Sequence, residues 1–260
     1  MSGELRVDRP AEHVARLTFS NPAKRNALDH AILDAIAERV PQLDARCLLI
    51  TAEGPVFSAG YDIGRLPREE FADRAEKLVA HPFHAAIAAI EAFPYPTVAA
   101  LNGHAIGGGL ELALSCDLRV AAAGAKLGMP PARLGLVYSH TGLRKFIDAI
   151  GTARTRELFY VGRNIPAARA EAWGLVNEVV EDGELAARGL ALATEIAANA
   201  PISLRGNKRV IRALLAAEGD VDAGTERELV ELREACFQTD DFFEGVRAFG
   251  EKRAANWQNK

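Results

Sequence analysis

Apolar runs of strand length alternate with segments of helical spacing through the first two thirds of the chain. RCLLITAEG (46–54) and PTVAALNG (96–103) are almost continuously apolar and end in or near a glycine, which is typical of buried strands. Apolar residues three and four positions apart, as in LDHAILDAIAERV (28–40), predict amphipathic helices between the strands. The predicted strands are 13–20, 46–54, 96–103 and 117–129, and the predicted helices are 28–40, 69–92 with an interruption at Pro82, and about 108–115. This alternation favours an α/β fold with largely parallel strand pairing.

Strand-like runs stop at about residue 183, and helical spacing continues beyond it. ELAARGLALATEIAANAP, LRGNKRVIRALLAAE and TERELVELREACFQ each repeat apolar residues at helical intervals. The pattern therefore predicts an α/β core over residues 1–182 and a helical C-terminal region over residues 183–260.

Composition and charge narrow the class of protein. The chain has 260 residues, of which 49% are hydrophobic and 25% are charged, and its formal net charge is -4. This balance argues against a nucleic-acid surface, although the basic pairs Lys24–Arg25, Lys208–Arg209 and Lys252–Arg253 are compatible with a phosphorylated small molecule. No apolar run reaches membrane-spanning length, and MSGELRVDRPAEH lacks the apolar stretch of a secretory signal. We therefore expect a cytoplasmic protein with no membrane or nucleic-acid partner.

The cysteines and histidines give no metal-binding pattern. Cys47, Cys116 and Cys236 are far apart, and their odd number favours free thiols in a reducing compartment. His81 and His84 have a ligand-like spacing in HPFH, but no acidic residue or cysteine lies near them in the sequence. We expect no metal site.

The first candidate for chemistry is NGHAIGGGLELALSCD (102–117), which places three glycines before Glu111 and an apolar helical run. A glycine run at a helix start binds phosphate in dinucleotide folds, but this spacing is not GxGxxG and no Walker lysine follows. The run also allows a helix to pack closely on a strand. Alternatively, it presents backbone N–H groups to developing negative charge, as half of an oxyanion hole. The glycines alone leave the last two interpretations open.

A second turn with little side-chain bulk lies in FSAGYDIG (57–64), which is predicted to be a loop. Ala59 and Gly60 permit close approach to the backbone. An N–H from this loop and one from the glycine run would together form a complete oxyanion hole.

The two motifs together resemble the crotonase (enoyl-CoA hydratase/isomerase) superfamily. That family has an [AS]AG-x-D-[IL] loop followed, several tens of residues later, by a GGG-x-E helix start. The resemblance covers nearly the whole chain: it includes NPAKRNAL, FPYPTVAALNGHAIGGGLELALSCDLRVA, AARAEAWGLVNEVV and AFGEKRAAN.

The resemblance implies a spiral of β-β-α units that binds an acyl-CoA thioester. The carbonyl oxygen of the thioester would accept hydrogen bonds from the N–H groups of Tyr61 and Gly108. Family analogy also implies a trimer or dimer of trimers formed through the C-terminal helices. Coenzyme A is part of the substrate here, and we expect no separate cofactor. The expected substrate and CoA contacts are Lys24, Arg25, Ala59, Asp62, Ile63 and Pro131, with Phe249 and Lys252 reaching the CoA from this subunit or a neighbouring one.

The choice of reaction depends on Glu111 and on the residue twenty positions later. Family members that hydrate an enoyl-CoA carry a glutamate at both places, because two carboxylates can divide the activation and splitting of water. Pro131 occupies the second place in this chain and cannot relay a proton. Hydration by the two-glutamate route is therefore disfavoured.

LGMPPARLGLVYSH (127–140) is similar to the corresponding segment of methylmalonyl-CoA decarboxylases in that superfamily, as are DIGRLP and DDFFEGVRAFGEKRAANW. That resemblance implies that Tyr138 orients a substrate carboxylate while carbon dioxide leaves. Glu111 would position a water or return a proton to the enolate if burial raises its pKa. Tyr61 is a departure, since these decarboxylases carry a histidine at that position.

Three functional hypotheses follow. The first is decarboxylation of a methylmalonyl-CoA-like substrate, and the second is enoyl-CoA hydration or isomerisation. The third, from another class, is a CoA-ester-binding protein with little turnover. Purely structural roles for Glu111 and Tyr138 remain open, and His140 is a further polar candidate whose direction the sequence does not give.

Overall fold

Ten strands and nine helices make up the described part of this computed structural model, which covers residues 2–62, 79–217 and 223–258. The strands are β1 (Glu4–Ala11), β2 (Val14–Ser20), β3 (Cys47–Ala52), β4 (Val56–Ser58), β5 (Thr97–Leu101), β6 (His104–Ile106), β7 (Leu118–Ala122), β8 (Lys126–Gly128), β9 (Ile165–Pro166) and β10 (Glu178–Val180). The helices are α1 (His30–Arg39), α2 (His84–Ala92), α3 (Gly108–Leu114), α4 (His140–Arg156), α5 (Ala167–Trp173), α6 (Leu185–Ala197), α7 (Pro201–Ala217), α8 (Ala223–Cys236) and α9 (Asp240–Glu251). Shorter helical turns lie at Pro22–Lys24, Val40–Gln42, Val79–Phe83, Pro131–Leu134, Glu157–Val161 and Asp182–Glu184.

The strands form two sheets that the chain visits in turn. The larger sheet has the order β1-β2-β3-β5-β7-β10, and the smaller has the order β4-β6-β8-β9. Pairing is parallel except at one edge of each sheet, between β1 and β2 and between β8 and β9. The chain passes from β5 to β6 and through α3 back to β7, so one strand of each sheet and a helix form a repeating unit. This confirms the predicted α/β class and its β-β-α spiral.

The larger sheet is covered on both faces, which explains its continuously apolar strands. Leu48 and Ile50 of β3 belong to the core that includes the apolar faces of α1 and α2. Cys47 and Leu49 point the other way and pack in a second core with Leu185 of α6. The helical region after residue 183 thus begins with a helix that packs on the sheet, and the 182/183 domain boundary remains a prediction.

The smaller sheet was not predicted. Its strands have two or three residues each, too few to show a periodicity. The predicted strand 117–129 is in fact β7 and β8, one in each sheet, and the predicted loop 57–64 begins within β4. No helix in the described residues is long and apolar enough to cross a membrane.

Candidate functional site

A cavity of about 850 Å³ lies between the two glycine-containing turns and the C-terminal helix α9. One wall is formed by the turn after β4, which runs from Ala59 to Asp62, and by Gly107 and Gly108 before and within α3. The segment from Met129 to Ser139 contributes mostly apolar side chains. Residues of α9 line the opposite side. The site is therefore a deep apolar cleft with backbone exposed on one wall.

Asn26 holds the first turn in position. Its buried side-chain amide donates to the carbonyls of Glu53 and Val56, each at 2.7 Å. Its own carbonyl accepts a hydrogen bond from the Ser58 hydroxyl at 2.8 Å. Asn26 adopts φ 54°, a left-handed conformation that asparagine tolerates better than most residues. The second asparagine of NPAKRNAL, Asn26, therefore has a structural role.

Backbone pairing fixes the direction of the Tyr61 amide. The Leu28 amide donates to the Gly60 carbonyl at 2.7 Å, and the Asp62 amide donates to the Leu28 carbonyl at 2.9 Å. These bonds flank Tyr61 in an isolated parallel bridge. Because successive amides of an extended chain point to opposite sides, the N–H group of Tyr61 faces away from Leu28.

A glycine is needed at each position of the triplet for a different structural reason. Gly107 has φ 56° and ψ −126°, a conformation that favours glycine. A Cβ added to Gly108 would lie 2.7 Å from the Cε1 and Cζ atoms of Tyr61. A Cβ on Gly109 would lie 2.5 Å from the Cβ of Ser58. The run therefore permits both a close helix–strand contact and close approach at the cavity wall.

The two turns converge at Gly60 and Gly108. A Cβ added to Gly60 would lie 3.0 Å from the carbonyl oxygen of Ile106 and 3.5 Å from the amide nitrogen of Gly108. No carbonyl of the described residues accepts a hydrogen bond from the Gly108 amide. Tyr61 and Gly108 both line the cavity, so the two predicted backbone donors are brought to one place.

Glu111, Tyr138 and Tyr61 form a cluster at this wall. The Tyr138 hydroxyl donates to Oε2 of Glu111, and the Tyr61 side chain hydrogen-bonds with both groups. Gly142 of α4 makes room for the cluster, because a Cβ there would lie 2.6 Å from Cε1 of Tyr138. Aromatic neighbours fix both rings: Tyr61 contacts Phe83 and Tyr138 contacts Phe159, in edge-on pairs with centroids 4.8 and 5.5 Å apart.

Burial sets the protonation state of the cluster. Desolvation raises the pKa of the Glu111 carboxyl, opposed by the Tyr138 hydrogen bond and by the positive charge of Lys145. Desolvation and the neighbouring Glu111 carboxylate raise the pKa of Tyr138 well above its ordinary value. The Tyr138 phenol therefore keeps its proton, and Glu111 holds its own proton to a higher pH than an exposed glutamate does.

Glu111 is buried next to the cavity wall. It is not among the described residues that line the cavity. Only 3% of Glu111 is exposed, and the two tyrosines with which it hydrogen-bonds form part of the wall. Glu111 therefore contacts the wall through those phenols.

A comparison with known families decides the relationship. The family model described as enoyl-CoA hydratase/isomerase matches residues 9–260. The chain belongs to the enoyl-CoA hydratase/isomerase family.

Relatives in this family include both hydratase-like and decarboxylase proteins. The chain is 36% identical to mouse enoyl-CoA hydratase domain-containing protein 2, mitochondrial, with 96% of this chain and 86% of that protein covered. Methylmalonyl-CoA decarboxylase complexed with 2S-carboxypropyl CoA is similar in structure, with a TM-score of 0.89, 30% identity and 98% of each chain covered. An enoyl-CoA hydratase/isomerase from Pseudoalteromonas atlantica has a TM-score of 0.83 at 30% identity, with 98% of this chain and 99% of that chain covered.

Most of the residues that we expected to contact CoA line the cavity. Lys24, Arg25, Ala59, Asp62, Pro131 and Phe249 all do so. Lys24 forms a 2.5 Å ion pair with Asp62 across the mouth. Phe249 comes from α9 of the same chain and is 53% exposed.

Two of the expected contacts are not in the cavity wall as described. Lys252 caps the C-terminal end of α9 with φ 56° and is exposed, but it does not line the cavity. Ile63 lies outside the described residues. His140 lies 3.9 Å from a carboxylate oxygen of Glu226 and is not in the wall either.

Two of the basic pairs have internal partners. Lys208 is buried and donates to Asp117 at 2.7 Å and to the Tyr95 carbonyl at 3.0 Å. Arg253 binds the Glu244 carboxylate. Because Lys208 is also buried, it is not positioned as a phosphate ligand. Within the described ranges, no group of three or more ligating side chains is arranged to bind a metal ion.

Several residues that shape the site were not found by sequence reasoning. Asn26 positions the first turn and Gly142 makes room for Tyr138. The positive charge of Lys145, on α4, opposes the rise in the pKa of Glu111. Asn26 lies in a quoted motif, and its high turn propensity was the available signal. Gly142 and Lys145 gave none, because their importance depends on contacts between residues far apart in sequence.

Proposed function

We propose that this family member is an acyl-CoA lyase that decarboxylates a methylmalonyl-CoA-like thioester through an enolate. One observation carries the proposal. Beside the two turns, the wall contains Tyr138, and it has Pro131 where the two-glutamate route needs a second carboxyl. Decarboxylation requires less acid–base chemistry than hydration, so this wall suits it better.

The backbone donors stabilise the charge that develops in this scheme. With the thioester carbonyl between the amides of Tyr61 and Gly108, the breaking C–C bond sends its electron pair into the carbonyl system as an enolate. Carbon dioxide leaves, and the α carbon then takes a proton. Two preorganised N–H donors beside a largely apolar wall favour the enolate over the bound thioester.

The cavity wall suits a substrate carboxylate that leaves as carbon dioxide. Tyr138 orients the substrate carboxylate by a hydrogen bond, while Met129, Pro130 and Leu136 provide an apolar surface that favours expulsion of a charged group. Burial raises the pKa of Glu111. A neutral Glu111 does not repel a substrate carboxylate, and it supplies a proton that can reach the cavity by way of Tyr138.

CoA binding follows from the rest of the cavity. Lys24 and Arg25 provide positive charge at the mouth, Ala59 leaves space beside the backbone, and Phe249 offers an apolar surface from α9. Asp62 keeps Lys24 in place through their ion pair. Ile63 and Lys252 stay in this proposal as further contacts.

A second candidate function is enoyl-CoA hydration or isomerisation. The names of the mouse and Pseudoalteromonas proteins favour it. A third, a CoA-ester-binding protein with little turnover, is favoured by the position of Glu111 behind the wall. The geometry supports decarboxylation better than hydration because Pro131 cannot share in the proton transfers.

A panel assay separates the three functions. Release of carbon dioxide from methylmalonyl-CoA and loss of the conjugated double bond of crotonyl-CoA are followed with the same preparation. We expect carbon dioxide release. Turnover of crotonyl-CoA alone would exclude the decarboxylase, and binding of acetyl-CoA without turnover of either substrate would favour the binding protein.

Tyr138→Phe tests the hydroxyl that is proposed to bind the substrate carboxylate. We expect kcat for decarboxylation to fall about 10- to 100-fold, because the variant removes one hydrogen bond to a charged group and a proton path. CoA affinity is expected to change little. Tyr160→Phe, at a tyrosine that is 74% exposed, is the matched control. Equal losses of kcat and of CoA affinity would instead indicate a packing role for Tyr138.

We also propose that copies of the chain associate as a trimer or dimer of trimers. Helix α7 exposes aliphatic side chains that a monomer leaves in water, including Ile202, Val210 and Leu214 at 78, 57 and 62% exposure. Light scattering on the purified protein distinguishes trimer, hexamer and monomer.

A further inference from the structure

The Tyr61 side chain occupies the cavity wall at the point where the two turns meet. Its ring lies so close to Gly108 that a Cβ on that glycine would be 2.7 Å from Cε1 and Cζ. Phe83, which is buried, holds the ring edge-on at a centroid distance of 4.8 Å. Two supports from different elements therefore fix where the hydroxyl of Tyr61 lies.

That hydroxyl belongs to the cluster of Glu111, Tyr138 and Tyr61. Tyr61 hydrogen-bonds with the other two members, and Tyr138 donates to Glu111. Tyr61 and Tyr138 line the cavity, and Glu111 does not. A ligand beside the turns consequently meets two phenols with a buried carboxyl behind them.

We propose that Tyr61 is a specificity-determining residue, whose hydroxyl and that of Tyr138 together recognise a carboxylate on a short acyl group when the Glu111 carboxyl is neutral. This inference rests on the proposed function and deepens it: the substrate class becomes short acyl thioesters that carry a carboxylate near the α carbon. It assigns a role to the side chain of Tyr61 that is separate from the role of its backbone amide.

The number of protons in the cluster explains the condition on Glu111. When Glu111 is ionised, its oxygens accept hydrogen bonds from both phenols, and the cavity faces phenol lone pairs, which repel a carboxylate. When Glu111 is protonated, it donates to one phenol, and that phenol can exchange its hydrogen bond to the other phenol for one to a ligand. That hydroxyl hydrogen can point into the cavity and bind an anion.

Charged side chains around the cluster affect the pKa of Glu111. Lys145 of α4 favours ionisation of Glu111, but its ammonium group is bonded to Glu91 of α2, whose charge acts in the opposite sense. Asp62, at the end of the first turn, is paired with Lys24. With these charges largely balanced, burial dominates and raises the pKa of Glu111.

Two thioether probes that are not turned over test the recognition directly. 2-Carboxypropyl-CoA carries the carboxylate, and propyl-CoA is its neutral counterpart. The measured quantity is the ratio of their dissociation constants, in which the contributions of the shared CoA portion cancel. Tyr61→Phe keeps the ring and the backbone N–H group and removes only the hydroxyl. Tyr160→Phe is again the control, and thermal unfolding of all three proteins reports their folding.

We expect the full chain to prefer the carboxylated probe, and Tyr61→Phe to lose about tenfold of that preference, as for loss of one hydrogen bond to a charged group. Affinity for propyl-CoA is expected to stay unchanged. The preference of the unmodified protein is expected to fall as pH rises, because Glu111 then loses its proton. This pH series needs no variant, so it tests the role of neutral Glu111 even if Tyr61→Phe does not fold.

The outcomes separate this inference from the proposed function. Carbon dioxide release with an unchanged preference in Tyr61→Phe would overturn the inference and leave the decarboxylase intact. A preference that is lost in Tyr61→Phe without carbon dioxide release would support recognition by the phenol pair and overturn the proposed reaction. A preference that does not depend on pH would overturn the role given to neutral Glu111.

Discussion

Two carboxylates six positions apart are stabilised in opposite ways. Glu111 lies on α3 among neutral phenols, and only 3% of it is exposed. Asp117, just beyond the same helix, accepts hydrogen bonds from the Thr97 amide at 2.7 Å and the Thr97 hydroxyl at 3.0 Å. It also accepts one from the buried ammonium of Lys208 at 2.7 Å.

The difference shows which carboxylate is suited to chemistry. The Asp117 carboxylate is held by an ammonium, an amide and a hydroxyl, and the Asp117 cluster (Asp117, Thr97 and Lys208) joins α7 to the start of β5. A carboxylate buried beside neutral hydroxyls is not compensated in this way, and burial raises its pKa. The Glu111 cluster can therefore exchange a proton at a cavity, and the Asp117 cluster maintains the architecture.

The largest expected effect comes from disturbing the Glu111 cluster through Gly108. In Gly108→Ala the new Cβ would lie 2.7 Å from the ring of Tyr61, so the ring or the turn has to move. We expect kcat/KM on the active substrate to fall about 100-fold, because displacements of about 1 Å at a site of this kind have effects of that size. Gly183→Ala is the control, since a Cβ there meets nothing within 4 Å. Normal turnover in Gly108→Ala would show that the contact between the two turns is not needed.

A smaller effect, on stability rather than activity, is expected from the Asp117 cluster. Lys208→Met keeps the length of the side chain and removes its hydrogen bonds to Asp117 and to the Tyr95 carbonyl. We expect the free energy of unfolding in urea to fall by about 2 kcal/mol, with kcat/KM per folded molecule unchanged. Lys126→Met, at an exposed lysine, is the matched control. A loss of activity without a loss of stability would place Lys208 in the site after all.

The sequence predicted the fold well where its pattern is long. β3 and β5 are buried on both faces, so their apolar runs are continuous and easily recognised. The smaller sheet escaped prediction because its strands have at most three residues, and such strands are defined by their partners rather than by their own pattern.

The motifs named residues that lie together at the cavity, but they did not give the positions of those residues relative to one another. The motifs selected Tyr61, Gly108, Glu111 and Tyr138, and the structure brings these four residues together. It also places Glu111 behind the phenols, which no spacing along the chain reveals. The direction of a side chain depends on neighbours such as Phe83, which come from other elements.

The smallest expected effect concerns the charge of Glu111 itself. Because burial raises its pKa in the folded protein, the stabilisation from its protonated form is complete below the unfolded pKa and is lost as pH rises through the folded pKa. Glu111→Gln cannot titrate, so its unfolding free energy relative to the unmodified protein is expected to improve as pH rises above the ordinary range of a glutamate. Urea unfolding at each pH measures this difference, and Glu184→Gln, at an exposed glutamate, is the control. A difference that is constant with pH would mean that Glu111 is already ionised in the folded protein. The distinction drawn between the two carboxylates would then be wrong.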